Sequence, residues 1–474
     1  MSGGGATSGR TTRRGARAVL AALAAATALA LPVGATAQSL TDALILAYQS
    51  SPLLAQQRNL LRVQDEDVAQ AVAALRPSIS YEATASRTEN NLNFNEQGTQ
   101  TVLQLLLNYT LLDGGQRAFR IGAAKEAVLG ARWRLVDTEQ DVLGAAVDAY
   151  LALALAVRTV DVRESNLRLL QTQLEAAEDR FEVGEVTRTD VAIAQSRLAA
   201  AQSLLAAARG QVDVARELYR LATGELPTGT LQPLPPMPQL PPSVERAQAL
   251  AVQINPTIKA LQHDIVAGEL LVQVAEADRL PTLSVQGALG ARGDGGTETA
   301  SISLGGQGPI YTGGRLSSLS RQATARVNAT RAQLAQQARI VTDAVGRAWS
   351  ALQVARAQVS ASDEQIRAAQ LAFEGFREEA LLGARTTLDV LDAEQELLDA
   401  RVLRLEAETQ LQGALYDVLS AIGLLTTDHL GLNVERYDPT IYYNAVRTAP
   451  ATGPRGSVQG NRLERVLDRF GRGN

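Results

Sequence analysis

The sequence predicts a mainly α-helical chain with a minor share of membrane-suited β-structure, built as two internal repeats. Three observations predict it. Ala, Leu, Gln, Glu and Arg, all strong helix formers, recur throughout, while aromatics make up only 4% of the 474 residues against 46% hydrophobic. One phrase occurs twice, "FEVGEVTRTDV" ending at Val191 and "ALLGARTTLDV" ending at Val390, 199 residues apart. Between Pro77 and Gly114 the hydrophobic spacing changes from helical to period two. A thick core draws on Phe, Trp and Tyr for buried area. Their scarcity favours long helices lying side by side, with small residues at close contacts, over several globular domains.

Taken in order, residues 1–37 read as an export signal. Arg10, Arg13, Arg14 and Arg17 form its basic start, Ala18–Leu31 its apolar stretch, and Ala35-Thr36-Ala37 its cleavage site. The mature chain is expected to begin near Gln38. Beyond it the longest uninterrupted apolar run, Ala149–Val157, is nine residues, short of the ~20 a membrane helix needs. A periplasmic, secreted or β-inserted outer-membrane protein is therefore expected.

The first repeat spans 38–226 and the second 243–428. Pro52 matches Pro256 and Pro77 matches Pro281 at an offset of 204; Gly114 matches Gly313, Tyr150 matches Trp349, Asp190 matches Asp389 and Gly224 matches Gly423 at 199. The five-residue change falls between the second Pro and the Gly-Gly, which places one tolerant loop there. Between the copies, residues 227–242 hold seven of the chain's 16 Pro and read as an extended linker. Residues 429–474 read as a mostly irregular tail. Within it Asn461–Phe470 reads as either a short amphipathic helix or disordered surface.

Each repeat holds a β-hairpin, about 78–110 and about 283–311. Ile79, Tyr81, Ala83 and Ala85 alternate with Ser78, Ser80, Glu82 and Thr84, and Leu103, Leu105, Leu107 and Tyr109 with Gln104, Leu106 and Asn108. Asn90–Gly98 is the polar loop between these strands. In the second copy Leu283, Val285 and Leu289 stand against Ser284 and Gln286. Roughly 9–11 residues per strand suit a tilted barrel strand in a bilayer. Four strands cannot close a barrel, and an open edge in lipid leaves backbone groups unpaired at several kcal/mol each. Strands must then be pooled between copies. Three chains give a trimeric 12-stranded β-barrel with an aqueous lumen; two also close, with a narrower bore.

The helices follow. Arg117 to Val183 runs unbroken except for isolated Gly, and Val191, Ala194, Leu198, Ala201, Leu205, Ala208, Val212, Ala215 and Tyr219 recur at spacings of three and four, a coiled-coil seam. The shape is therefore elongated.

Other classes find little support. The chain has no Cys, which excludes disulfides, thiolate zinc sites, Cys nucleophiles and a lipidated Cys anchor. His263 and His429 lie in no metal spacing, so neither a metal nor a cofactor is expected. A net charge of -5 gives no reason to expect nucleic acid as a partner. No nucleophile-base pair or phosphate loop suggests an enzyme.

Export signal, duplicated hairpin and long-helix unit, Gly-Gly after the second strand, and the two corners of pattern V-G-x5-D-V together make the chain resemble the TolC family of outer-membrane efflux and type I secretion proteins. The resemblance covers about Leu40 to Leu430. It implies a homotrimer whose barrel, set in outer-membrane lipid, continues as a long periplasmic α-helical barrel. It further implies a passive exit duct working with a periplasmic adaptor (a membrane fusion protein) and an inner-membrane RND or ABC transporter. On matching positions it implies adaptor docking at Val183, Gly184, Leu382 and Gly383. It implies a periplasmic gate in which Thr189 and Asp190 accept from Arg385, with Ala380 standing where the family's best-known member has a Tyr. It also implies a cation-selective ring of Asp389 and Asp392. The alternative is a non-pore periplasmic coiled-coil scaffold or adaptor, which explains the seam but not two matched hairpins.

Overall fold

The computed structural model describes residues 38–88, 98–233, 239–292 and 298–449. The expected export signal, most of the Asn90–Gly98 loop and the Asn461–Phe470 segment lie outside them. Each repeat has the same parts with the same helix lengths. The first comprises α1 (Leu40–Ser50), α2 (Pro52–Ala73), β1 (Ser78–Thr88), β2 (Gly98–Leu112), α3 (Gln116–Glu182) and α4 (Arg188–Thr223). The second comprises α5 (Val244–Ile254), α6 (Pro256–Ala277), β3 (Thr282–Arg292), β4 (Glu298–Gln307), α7 (Arg315–Leu381) and α8 (Thr387–Ile422).

Local chemistry fixes the boundaries. The matched prolines Pro52 and Pro256 each open a helix, where the missing N–H costs nothing and the fixed φ is already helical. Ser51 and Asn255 cap those helices by accepting from Leu54 N and Thr257 N. After β2 the chain turns through Gly114 and Gly115, at φ 62° and 87°, values open to Gly without steric cost. Asp113 holds this turn by accepting from Gly115 N at 3.1 Å and Arg117 N at 3.0 Å.

The long helices α3 and α7 are 67 residues each, about 100 Å at 1.5 Å per residue. Each folds back as a 36-residue partner, α4 and α8. The seam of α4 buries Ala194, Ala201, Leu205, Val212, Ala215 and Tyr219, as the three-and-four spacing predicts. The thickest packing lies at mid-length, where Tyr150, Ala215, Tyr219 and Leu419 share one cluster and Val345, Leu352, Leu415 and Val418 another. The buried Tyr150 hydroxyl donates to the carbonyls of Gln38 and Gln232 at 3.2 and 3.0 Å, tying the start of the described chain to the extended linker. One 18-residue window of α3 reaches a mean hydropathy of 1.6, a longer apolar stretch than the nine-residue run suggests, but 56% of it is buried within the chain. It is core helix.

The strands form one antiparallel sheet in the order β1-β2-β3-β4. Register sorts its two faces. Tyr81, Leu105, Leu289 and Ala300 lie directly across from one another in sequence, as do Ile79, Leu107, Gly287 and Ile302. On the opposite face the rows are Ser78, Asn108, Gln286, Ser303 and Ser80, Leu106, Ala288, Ser301. One face is apolar and the other mainly polar. Ile79, Tyr81, Leu103, Leu105, Ile302 and Leu304 are all exposed in the single chain, and the outer edges of β1 and β4 pair with no strand among the described residues.

The described part of the tail, residues 429–449, is irregular apart from one short helix. Residues 439–446 form α9 (Pro439–Val446), because Asp438 accepts from Thr440 N at 2.8 Å, Pro439 opens the helix, and Tyr442 and Val446 are buried four residues apart. It packs on α2, where Tyr442 donates to Glu66 at 2.6 Å. Arg58 lies over the rings of Tyr48 and Tyr437, Arg62 over Tyr442 and Arg132 over Tyr443. Beneath this arginine-tyrosine layer Asp65 is fully buried, and neither carboxylate oxygen has a hydrogen-bond partner.

Candidate functional site

The two repeated phrases form two corners of one geometry. At the first, α3 ends with Gly184 at φ 81°, Glu185 N donating to Arg180 O at 2.8 Å and Gly184 N to Phe181 O at 3.0 Å. At the second, Gly383 has φ 77°, Ala384 N donates to Glu379 O at 2.9 Å and Gly383 N to Ala380 O at 3.1 Å. This is the helix-ending arrangement in which a left-handed residue lets two N–H groups return to the last turn. A Cβ added at either Gly meets nothing within 4 Å. Backbone conformation, rather than a close approach within the chain, therefore demands Gly here.

The next helix begins four residues after the Gly in both corners, behind a capping Thr. Thr187 accepts from Asp190 N, and Asp190 accepts in return from Thr187 N at 2.8 Å and Oγ1 at 2.8 Å. Thr386 and Asp389 repeat the exchange at 3.0 and 2.9 Å. This reciprocal cap accounts for the Asp of the shared pattern. Both carboxyls are held below the usual carboxylate range, Asp190 by its side-chain and backbone bonds from Thr187 and Asp389 by those from Thr386. Thr187 and Thr386 were missed in the sequence, although the spacing T-x-x-D before a helix is a readable cap signal.

The remaining expected residues divide. Val183 and Leu382 stand at the tips, 71% and 85% exposed, beside Gly184 and Gly383. Thr189 is in the first turn of α4. Arg385 does not meet Asp190 within the chain: its Nε donates to Glu379 at 2.9 Å and its guanidinium sits 4.5 Å from the Phe376 ring centroid. Asp392 accepts from Arg197 of α4 at 2.5 Å, whereas Asp389 is occupied by its cap. One turn deeper, Gln173 of α3 donates to Glu394 of α8 at 2.6 Å, and burial pushes the Glu394 carboxyl up to about 6. Leu170, Ala201 and Leu391 close the same junction with an apolar cluster. Arg197 and Gln173 pair across the repeats, so no local sequence signal points to them.

The sheet has one apolar face and one mainly polar face, and the outer edges of its end strands are unpaired among the described residues. Comparisons with known proteins agree with that arrangement. The family model described as "Outer membrane efflux protein" matches residues 43–225 and 248–424, leaving out the Pro-rich linker. The outer membrane efflux protein BepC of Brucella suis is 36% identical over 421 residues, covering 87% of this chain and 91% of that protein. The alkaline protease secretion protein AprF of Pseudomonas aeruginosa is 26% identical, covering 74% of this chain and 75% of its own length. Among solved structures, the CmeC outer membrane channel of Campylobacter jejuni superposes with a TM-score of 0.72 at 17% identity, over 86% of this chain and 89% of that one.

Proposed function

The chain belongs to the outer membrane efflux protein family, and from that premise we propose that it is an outer-membrane channel-tunnel, the passive exit duct of a tripartite efflux pump or a type I secretion system. The observation that carries this reading is the sheet: four strands in register, one face apolar, the other mainly polar, both edges open. An apolar exterior and a polar interior are what a barrel filled with water presents to lipid and to lumen. With four strands among the described residues of each chain, three copies make twelve strands, and the paired helices continue the wall into the periplasm. A periplasmic coiled-coil scaffold leaves the exposed apolar sheet face without a purpose.

The duct opens and closes at the corners. The exposed tips Val183 and Leu382, with Gly184 and Gly383, receive the periplasmic adaptor, which joins the duct to an inner-membrane RND or ABC transporter. Thr189, Asp190 and Arg385 form the gate, with Arg385 exchanging Glu379 for Asp190 as the corners of neighbouring helix pairs draw together. Asp389 and Asp392 of each copy ring the narrow end, and crowded carboxylates there attract and hold cations. BepC is named for efflux and AprF for protease secretion, so the cargo is left as either class.

The test is the purified outer-membrane protein. Light scattering in detergent is expected to give three times the chain mass, and planar bilayers are expected to show discrete, low-conductance events. Material that stays monomeric, or membranes that stay non-conducting, would overturn the reading.

A further inference from the structure

Where the two repeats meet the tail, the chain forms a cavity of about 460 Å³, within the size range of small-ligand pockets. Trp133 and Leu135 of α3, Ile254 at the end of α5 and Pro256 at the start of α6 supply apolar walls. Three arginines reach the same space: Arg58 from α2, Arg132 from α3 and Arg436 from the tail. Two carboxylates face them, Glu139 and Asp428.

Both carboxylates are already engaged. Glu139 accepts from Thr427 N and Oγ1 at 2.7 and 2.8 Å, and Asp428 pairs with Arg436. Arg58 and Arg132 are left. Arg58 lies 5.2 and 5.3 Å from the ring centroids of Tyr48 and Tyr437, and Arg132 lies 5.3 Å from that of Tyr443. Ring faces attract a cation but offer its N–H groups no oxygen. The Nε of each arginine is buried and has no hydrogen-bond partner, an unfavourable arrangement for a donor. Asp65 lies beneath them, yet neither of its oxygens accepts a hydrogen bond, and burial pushes its carboxyl up to about 7. Glu66 accepts from Tyr442, and Asp438 from Thr440.

The second repeat resolves the same charges differently. The counterparts of Asp65 and Arg132, at offsets of 204 and 199, are Glu269 and Arg331. These form a direct ion pair at 2.6 Å. The counterpart of Arg58 is the neutral Gln262. The first repeat therefore adds one arginine, shortens the carboxylate by one methylene, and leaves two guanidinium groups at a cavity with an aromatic wall.

We infer that this cavity binds a small aromatic carboxylate, with its ring against Trp133, Ile254 and Pro256 and its carboxylate accepting from Arg58 and Arg132. A bare inorganic anion would leave the apolar walls unfilled, and a neutral ring would leave both donors unpaired. A ligand held there ties α2, α3 and the tail to the start of α6.

The chain has two Trp, so Trp349→Phe makes Trp133 the reporter. In purified full-length protein carrying that substitution, para-nitrobenzoate is expected to quench the fluorescence saturably. Isothermal titration of the parent with the same compound is expected to give the same affinity. The amide para-nitrobenzamide, which has the same shape without the charge, is expected to bind about tenfold more weakly or not at all. Arg58→Gln and Arg132→Gln are each expected to weaken binding about tenfold, as the loss of a charged donor does. Arg331→Gln, at the equivalent place in the second repeat, is expected to leave it unchanged. Absence of saturable binding in parent protein with an intact thermal transition overturns the site. Equal affinity for the amide overturns the role of the two arginines, and inorganic phosphate binding as tightly as para-nitrobenzoate overturns the aromatic class. The cavity lies within one chain, so none of these outcomes bears on whether several copies close a barrel.

Discussion

Arg385 donates its Nε to Glu379 at 2.9 Å, inside its own chain and away from the other corner. Both side chains are more than one-third exposed, and such pairs contribute about 0–1 kcal/mol. On the proposed gate, Glu379 is a resting partner that Arg385 would leave at little cost for Asp190. Arg385→Ala is expected to raise single-channel conductance or open time in planar bilayers, about fivefold for each kcal/mol of closure lost. Glu379→Gln, which frees Arg385 for the gate, is expected to leave the closed state at least as tight. Equal behaviour of both variants and parent counts against Arg385 as a latch.

The caps separate folding of the corners from gating. Thr187→Ala and Thr386→Ala each remove the side chain that accepts from Asp190 N or Asp389 N. Loss of such a cap costs about 1 kcal/mol. Hydrogen exchange at residues 185–191 and 384–390 is expected to speed up in the matching variant only. The same exchange rates in variant and parent would mean that the cap contributes nothing in the assembled protein.

Much of this was legible in the residues. Pro52 and Pro256 mark helix starts, and Gly184 and Gly383 mark helix ends, because their backbone constraints act locally and identically in both repeats. The alternation from Ile79 to Ala85 gives the strand and its face for the same reason. Other features depend on partners distant in the chain. Arg197 meets Asp392 and Gln173 meets Glu394 across 195 and 221 residues, and nothing near either one signals the other. The helix Pro439–Val446 was hidden differently: at eight residues it is too short to show a period and exists through packing on α2. The expected meeting of Arg385 with Asp190 is not made within the chain, where Arg385 pairs with Glu379 and sits over Phe376.

Asp389 and Asp392 are expected to differ as cation ligands. Asp389 is committed to the Thr386 cap, while Asp392 is held only by Arg197, in a pair whose side chains are 39% and 58% exposed. Asp392→Ala is expected to raise the concentration of a multivalent cation needed to block conductance by about tenfold, some 1.4 kcal/mol. Arg197→Ala, by releasing Asp392, is expected to lower it. A blocking concentration unmoved by either substitution removes Asp392 from the ring.

Asp65 makes stability fall as pH rises. Burial pushes its carboxyl up to about 7, against the lowering pull of Arg132 and Arg62 and with a raising push from Glu66. Its oxygens receive no hydrogen bond, so ionisation is disfavoured in the folded chain and ordinary in the unfolded one. The folded state then binds the extra proton between the ordinary value of 3.8 and about 7, and stability is lost as pH climbs through that window. The segment that covers Asp65 contains Tyr437 and Tyr442, so loosening is expected there first. Asp65→Asn is expected to stabilise the protein at pH 8, because the amide carries no charge to remove from water, by an amount on the order of a few kcal/mol at about 1.4 kcal/mol per pH unit between the ordinary and the raised value. At pH 5 it is expected to change little. Thermal unfolding at the two pH values, with protease cleavage of the segment around α9 as a local readout, measures both. A variant whose midpoint falls at pH 8, or whose pH dependence matches the parent's, would mean that Asp65 stays ionised beneath the arginine-tyrosine layer and is neutralised there by Arg132 and Arg62.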